Sequence, residues 1–179
     1  DLTPTCVALA HDNKAISGSK DHSVILWDLN TEKRVSLLCD PWKRNKDTDR
    51  SKGQVLSVAC AQQYAAVGKR DGTVSIFDMR SSELVKTFRG HKGPVTCLSF
   101  RTRTLQLFSG SEDRCIRHYN LEEMLFLETL YGHQFGVSGL DCHRREGPVS
   151  VGRDRTARAW KIAGDSHLIF RGGAKVPPA

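Results

Sequence analysis

Long apolar runs are missing from this 179-residue sequence. No stretch of about 18 apolar residues occurs, so no helical membrane span is indicated. A basic-then-apolar leader of the secretory kind is also missing. The chain begins with Asp1 rather than Met, which implies that the natural N-terminus lies upstream. Aromatic residues make up only 7% of the chain. The six cysteines, Cys6, Cys39, Cys60, Cys97, Cys115 and Cys142, form no C-x-x-C pair. That spacing speaks against a zinc knuckle or a thioredoxin-like motif. Four of them fall in apolar segments and read as small buried hydrophobes in a reducing compartment. No metal set, no cofactor motif and no helix of useful length is expected.

What is present is ordinary hydrophobic content, 39%, and a surplus of positive charge. Lys and Arg number 27 against 20 Asp and Glu, for a net charge of +7 and a pI of about 9.3. A basic balance favours anionic partners, nucleic acid among them, and where the charge sits decides more than its sum.

The strongest signal is internal repetition. Four segments share one pattern: GSKDHSVILWD from Gly18, GKRDGTVSIFD from Gly68, GSEDRCIRHYN from Gly110 and GRDRTARAWK from Gly152. In each, an Asp is followed six residues later by an aromatic: Asp21 and Trp27, Asp71 and Phe77, Asp113 and Tyr119, Asp154 and Trp160. Gly-His pairs stand at Gly90-His91 and Gly132-His133. This is the pattern of WD repeats, each of which forms one four-stranded blade. The expected fold is all-β: a WD-repeat β-propeller with four blades present, at about 1–39, 53–89, 93–131 and 135–171, as part of a seven-bladed ring. An open four-blade arc would leave strand edges and apolar faces bare.

Strands are expected at Val95–Phe100, Leu105–Gly110, Cys115–Tyr119 and Leu125–Leu130 in the third repeat. In the fourth they are expected at Gly136–Cys142, Pro148–Gly152, Thr156–Ile162 and His167–Phe170. A buried His, Ser, Asp and Trp set is expected to hold each blade, since a buried carboxylate needs donors. The residue four before each Asp is Ser17, Val67, Ser109 and Ser150. The set reads as complete only in the third repeat, with His91, Ser109, Asp113 and Tyr119. His133, Ser150, Asp154 and Trp160, and Asp21, Trp27 and Asp71, complete the structural group. Ser, His and Asp repeated blade after blade are structural, because an enzyme needs one triad rather than several. No catalytic residue is assigned.

In an antiparallel blade with strands a-b-c-d, the b-to-c and d-to-a loops share one face. That face collects 15 basic and 8 acidic residues, against 12 of each elsewhere, so it carries the whole net charge. The turn Asp residues are expected to point inward, leaving the rim more basic still. Lys20, Lys69, Arg70, Arg89, Lys92, Arg114, Arg153 and Arg155 are the RNA-binding candidates, arranged to neutralise phosphates. Aromatics on this face are few: Trp42, Tyr131 and Phe135. Backbone and shape recognition is therefore expected over stacking. The insertion loop at 39–53 places Trp42 beside Lys43 and Arg44, a partner-binding candidate.

Three stretches go beyond a generic repeat: FRGHKGPVTCLSFRTRTLQLFSGSEDR from Phe88, ETLYGHQFGVSGLDC from Glu128 and VSVGRDRTARAWKI from Val149. They resemble the WD-repeat proteins of the U3 small nucleolar ribonucleoprotein. The resemblance covers about the last 90 residues well and the first two repeats more loosely. It implies a non-catalytic RNA-binding scaffold acting in pre-ribosomal RNA processing and small-subunit biogenesis, in the nucleolus of the nucleus. The implied partners are the U3 small nucleolar RNA, the box C/D core and kink-turn-binding proteins, and small-subunit processome proteins. The alternative is a WD-repeat protein-interaction adaptor, for example a ubiquitin-ligase substrate receptor. The sequence departs from the resemblance at Gly172-Gly173, where a Gly-His is expected.

Overall fold

The computed structural model describes residues 3–38, 53–101, 104–142 and 147–162, together with the backbone of a strand at 168–171. Among the described residues every regular element is a strand. They form four separate antiparallel sheets in simple sequence order. Blade 1 holds β1 (Pro4–Ala10), β2 (Lys14–Ser19), β3 (Val24–Asp28) and β4 (Lys33–Leu38). Blade 2 holds β5 (Val55–Ala61), β6 (Tyr64–Lys69), β7 (Val74–Asp78) and β8 (Leu84–Phe88). Blade 3 holds β9 (Val95–Phe100), β10 (Gln106–Ser111), β11 (Cys115–Asn120) and β12 (Leu125–Tyr131). Blade 4 holds β13 (Val137–Cys142), β14 (Pro148–Gly152), β15 (Thr156–Ala159) and β16 (Leu168–Arg171). The expected strands agree with these to within a residue or two at most ends. β15 stops short at Ala159, after which the Trp160 amide donates to the Pro148 carbonyl.

The repeated Asp earns its place locally. In all four b-to-c turns its carboxylate accepts from the amide two residues on: Ser23, Thr73, Cys115 and Thr156, at 2.9–3.1 Å. This is an Asx turn, which substitutes a side chain for a backbone turn. The residue after each Asp closes the hairpin with φ of 73° at His22, 83° at Gly72, 73° at Arg114 and 61° at Arg155. Glycine is the low-cost residue in this left-handed region, so the two arginines hold it against a steric penalty.

Alternation along the strands builds the core. Neighbouring side chains of one blade point to opposite seams. Ala65 and Phe77 pack toward blade 1 with Ile16, Leu26 and Val55, while Ala66 and Ile76 pack toward blade 3 with Leu107 and Tyr119. A third cluster joins Phe108 and Ile116 of blade 3 to Val137 and Trp160 of blade 4. Each such burial stabilises by about 1.5–3 kcal/mol.

The seams repeat in detail. The inner strands β1, β5, β9 and β13 lie side by side. Gly18, Gly68 and Gly110 sit on the b strands where a Cβ would lie only 2.5–2.8 Å from Val55, Val95 and Val137 of the next blade. Those valines are fully buried as a result. Hydroxyls latch the same seams: Thr5 donates to the Val55 carbonyl at 2.7 Å, Ser57 to that of Val95 and Thr96 to that of Val137.

Candidate nucleic-acid interface

Two of the four blades carry a full buried polar set. In blade 3, His91 Nδ1 lies 2.7 Å from Asp113 Oδ2 and His91 Nε2 lies 2.7 Å from Ser109 Oγ. Burial raises the Asp113 pKa, but the hydrogen bond and charge of His91 and the amides of Lys92 and Cys115 outweigh it and hold it at about 2. An ionised carboxylate only accepts, so His91 Nδ1–H is the donor. Tyr119 closes the set at a longer 3.5 Å from Ser109 Oγ.

Blade 4 repeats the arrangement with His133, Asp154 and Ser150 at 2.9 and 2.8 Å, and Trp160 Nε1–H donates to Ser150 Oγ at 2.8 Å. The expectation that only the third repeat is complete is therefore corrected. In the fourth repeat the glycine sits one residue nearer the Asp, and Ser150 rather than the glycine keeps the register. The Asp154 carboxyl is likewise held well below the usual carboxylate range. Burial opposes this, but the Thr156 hydroxyl, the Gln134 amide, His133 and the Thr156 amide prevail.

These Ser-His-Asp constellations face inward. Ser109 and Ser150 are buried, with no surface from which a substrate could approach. What the sets do is tie loops together. Asp113 accepts from the Lys92 amide and Asp154 from the Gln134 amide, both at 2.9 Å, so each d-to-a loop is pinned to the following b-to-c turn.

The loops that lead into blades 1 and 2 fall mainly outside the described residues, and the tie is described for blades 3 and 4. Trp27 still donates to Ser17 Oγ at 2.8 Å, and Asp21 accepts from the Ser23 hydroxyl. Asp71, expected to point inward, is exposed and among the described residues accepts from its own turn, through the Thr73 amide and hydroxyl. With Val67 and Phe77 in the polar positions, nothing inside blade 2 would receive a carboxylate.

The glycine of the Gly-His pair has a reason the sequence did not reveal. A Cβ on Gly90 or Gly132 would collide with the guanidinium of Arg117 or Arg158, four residues after each Asp. Arg117 donates to the Gly90 carbonyl at 2.7 Å, and Arg158 is buried beside Asp154 and Thr156. Arg158 is buried and Arg117 half-buried, and only their common place on the c strand could have signalled it.

The rim candidates separate. Lys20, Arg70, Arg89, Lys92, Arg114, Arg153 and Arg155 are exposed on the b-to-c and d-to-a face. Lys69 is not: it ends β6 at the position held by Ser111 in blade 3 and is only 7% exposed, so its place on the rim is corrected. Arg153 is exposed but pairs with Glu112 of blade 3 at 3.1 Å. Trp42, Lys43 and Arg44 lie outside the described residues. Of the described acids on this rim, Asp113 and Asp154 are filled by inward hydrogen bonds, Glu112 pairs with Arg153, and Asp71 is exposed.

The described cysteines carry free thiols. Burial pushes those of Cys60 and Cys142 up to about 12, which leaves them unreactive, in keeping with small buried hydrophobes. Cys39 is outside the described residues.

Comparison with known proteins matches residues 3–28 and 82–120 to the "WD domain, G-beta repeat" family. The "U3 snoRNP-associated protein-like EMB2271" of Arabidopsis thaliana is 34% identical over 93% of this chain and 37% of its own length. "Ribosomal RNA-processing protein 9" of Saccharomyces cerevisiae is 36% identical over 67% of this chain and 22% of its own. The chain thus spans well under half the length of these curated relatives. A solved structure described as "Structure of U3-55K" superposes with a TM-score of 0.86 at 34% identity, covering 97% of this chain and 53% of that one.

Proposed function

This is a WD-repeat chain with U3 snoRNP-associated proteins among its homologues, and from that premise we propose that it is a non-catalytic RNA-binding scaffold of the U3 small nucleolar ribonucleoprotein. Its work lies in pre-ribosomal RNA processing for the small subunit, in the nucleolus. It binds the U3 small nucleolar RNA beside the box C/D core and kink-turn-binding proteins, within the assembly of small-subunit processome proteins.

One observation carries the reading. The b-to-c and d-to-a rim presents Lys20, Arg70, Arg89, Lys92, Arg114 and Arg155 to solvent, while Asp113 and Asp154 turn inward and Arg153 pairs with Glu112, leaving Asp71 as an exposed acid next to Arg70. With more exposed bases than exposed acids among the described residues, such a rim attracts a polyanion. The Asx turns and the loop ties fix the backbone that bears these cations. Little ordering entropy then remains to be lost on binding.

The test is paired charge reversal read against salt. Arg114→Glu with Arg155→Glu should weaken binding of U3 RNA and flatten the dependence of log affinity on log salt by about two contacts' worth. Lys33→Glu with Arg80→Glu, exposed on the outer strand and the opposite face, should do little. Equal losses from both pairs would reduce the interaction to non-specific attraction and overturn the assignment.

A further inference from the structure

We propose that a shallow cleft between blades 3 and 4 receives one unstacked nucleotide of the bound RNA, its base on Tyr131 and its phosphate on Lys92 and Arg114. This rests on the RNA-binding reading above and names a subsite within it. It also revises the expectation that stacking plays little part on this face.

The cleft has a volume of about 540 Å³ and opens on the basic rim, between the b-to-c turn of blade 3 and the loop that leads into blade 4. Three features of its wall point to a nucleotide. First, Tyr131 ends the outer strand β12 opposite Cys115 and is 71% exposed. Phe135, 61% exposed, follows on the same loop. An aromatic ring held at a strand end and left bare is a ready platform for a base, since every base has a π-face. Second, among the described residues neither Lys92 nor Arg114 has a carboxylate partner for its side chain, whereas both acids of the cleft are engaged. Asp113 is filled by His91 and the Lys92 and Cys115 amides, and Glu112 by Arg153 across the seam. The cleft therefore offers cations and an aromatic with its negative charge already satisfied.

Third, the wall is fixed on both sides. Asp113 ties the Lys92 backbone to the turn, and Arg114 sits at φ 73°, where its position is set by the closed hairpin rather than by its own preference. A base splayed from a loop or bulge would meet a preformed surface, which is how single-stranded segments of structured RNA are recognised. A phosphorylated peptide offers the same anion and is the competing occupant.

The experiment uses the full-length protein and a U3 RNA in which each unpaired nucleotide is replaced in turn by an abasic one. Tyr131→Ala should lower affinity roughly 5- to 100-fold, and Tyr131→Trp should retain or raise it. Neither should change the salt slope. One abasic position should cause the same loss in the wild type and no further loss in Tyr131→Ala. If the wild type binds RNA and Tyr131→Ala binds as well, the subsite is overturned while the RNA-binding reading stands. The subsite is also overturned if every abasic RNA loses equally in both proteins. If the wild type fails to bind RNA yet takes a phosphopeptide in a Tyr131-dependent way, the nucleotide reading and the RNA scaffold fall together in favour of a peptide dock.

Discussion

Blades 2 and 4 have the same four strands and the same Asx turn, yet they are held by different means. Blade 4 buries His133, Ser150, Asp154 and Trp160 in one hydrogen-bonded chain. Blade 2 puts Val67 and Phe77 in two of those places and turns Asp71 out to solvent. Among the described residues, blade 2 is closed without a buried His, Ser and Asp set. The polar set adds a tether between the d-to-a loop and the b-to-c turn, and so governs the shape of the rim. Blades 3 and 4, which have the tether, are also the ones that frame the cleft at Tyr131.

The contrast can be broken by removing the carboxylate. Asp154→Ala or Asp113→Ala leaves buried donors unpaired and should cost about 1–3 kcal/mol in denaturant unfolding. Asp71→Ala removes only an exposed turn cap and should cost no more than about 1 kcal/mol. Equal losses at all three positions would mean that the tether adds nothing to the turn.

Acid should separate the blades next. The folded pKa of Asp113 is depressed to about 2 from an ordinary value of 3.8, and that of Asp154 is depressed in the same direction. Depressed carboxylates contribute stability that is present above their unfolded pKa and is lost as pH falls through the folded one. Thermal stability should thus decline between about pH 4 and 2, and an Asp113→Asn, Asp154→Asn double variant should show a flatter decline from a lower plateau.

The smallest effect concerns the strained arginines. Arg114→Gly relieves a left-handed residue and should raise stability by up to about 1 kcal/mol, after glycine's own entropy is counted. RNA affinity should fall in the same variant. A variant that gains stability and keeps affinity would leave the arginine without a reason.

Much of this was legible because repeats expose their own grammar. The Asp-to-aromatic step located every b-to-c turn, and period-two alternation located the strands. What stayed hidden depended on neighbours in space. Lys69 looks like a rim base until its turn places it where Ser111 sits, inside. Arg117 and Arg158 read as strand surface until Gly90 and Gly132 are seen to make room for them. Arg153 counts as free charge in sequence, while Glu112, 41 residues earlier in the chain, claims it. Asp71 follows the motif but lacks the histidine and serine that would draw it in. Pairings across a seam have no fixed sequence spacing, so no periodicity reports them.

A pairing inside each blade bears on how the repeats can change. In blades 1 to 3 a small or medium residue on the inner strand faces a glycine on the next: Cys6 and Gly18, Ser57 and Gly68, Cys97 and Gly110. Blade 4 exchanges the two, setting Gly139 against Val151. A Cβ on Gly139 would lie 2.9 Å from the Val151 side chain. Bringing blade 4 to the majority pattern therefore takes two substitutions, and neither is neutral alone. Gly139→Cys made first crowds the valine, and Val151→Gly made first leaves two facing glycines with nothing to pack. The two sites are epistatic. A consensus blade assembled one column at a time would cross a less stable intermediate whichever change came first, so these columns have to be mutated as a pair.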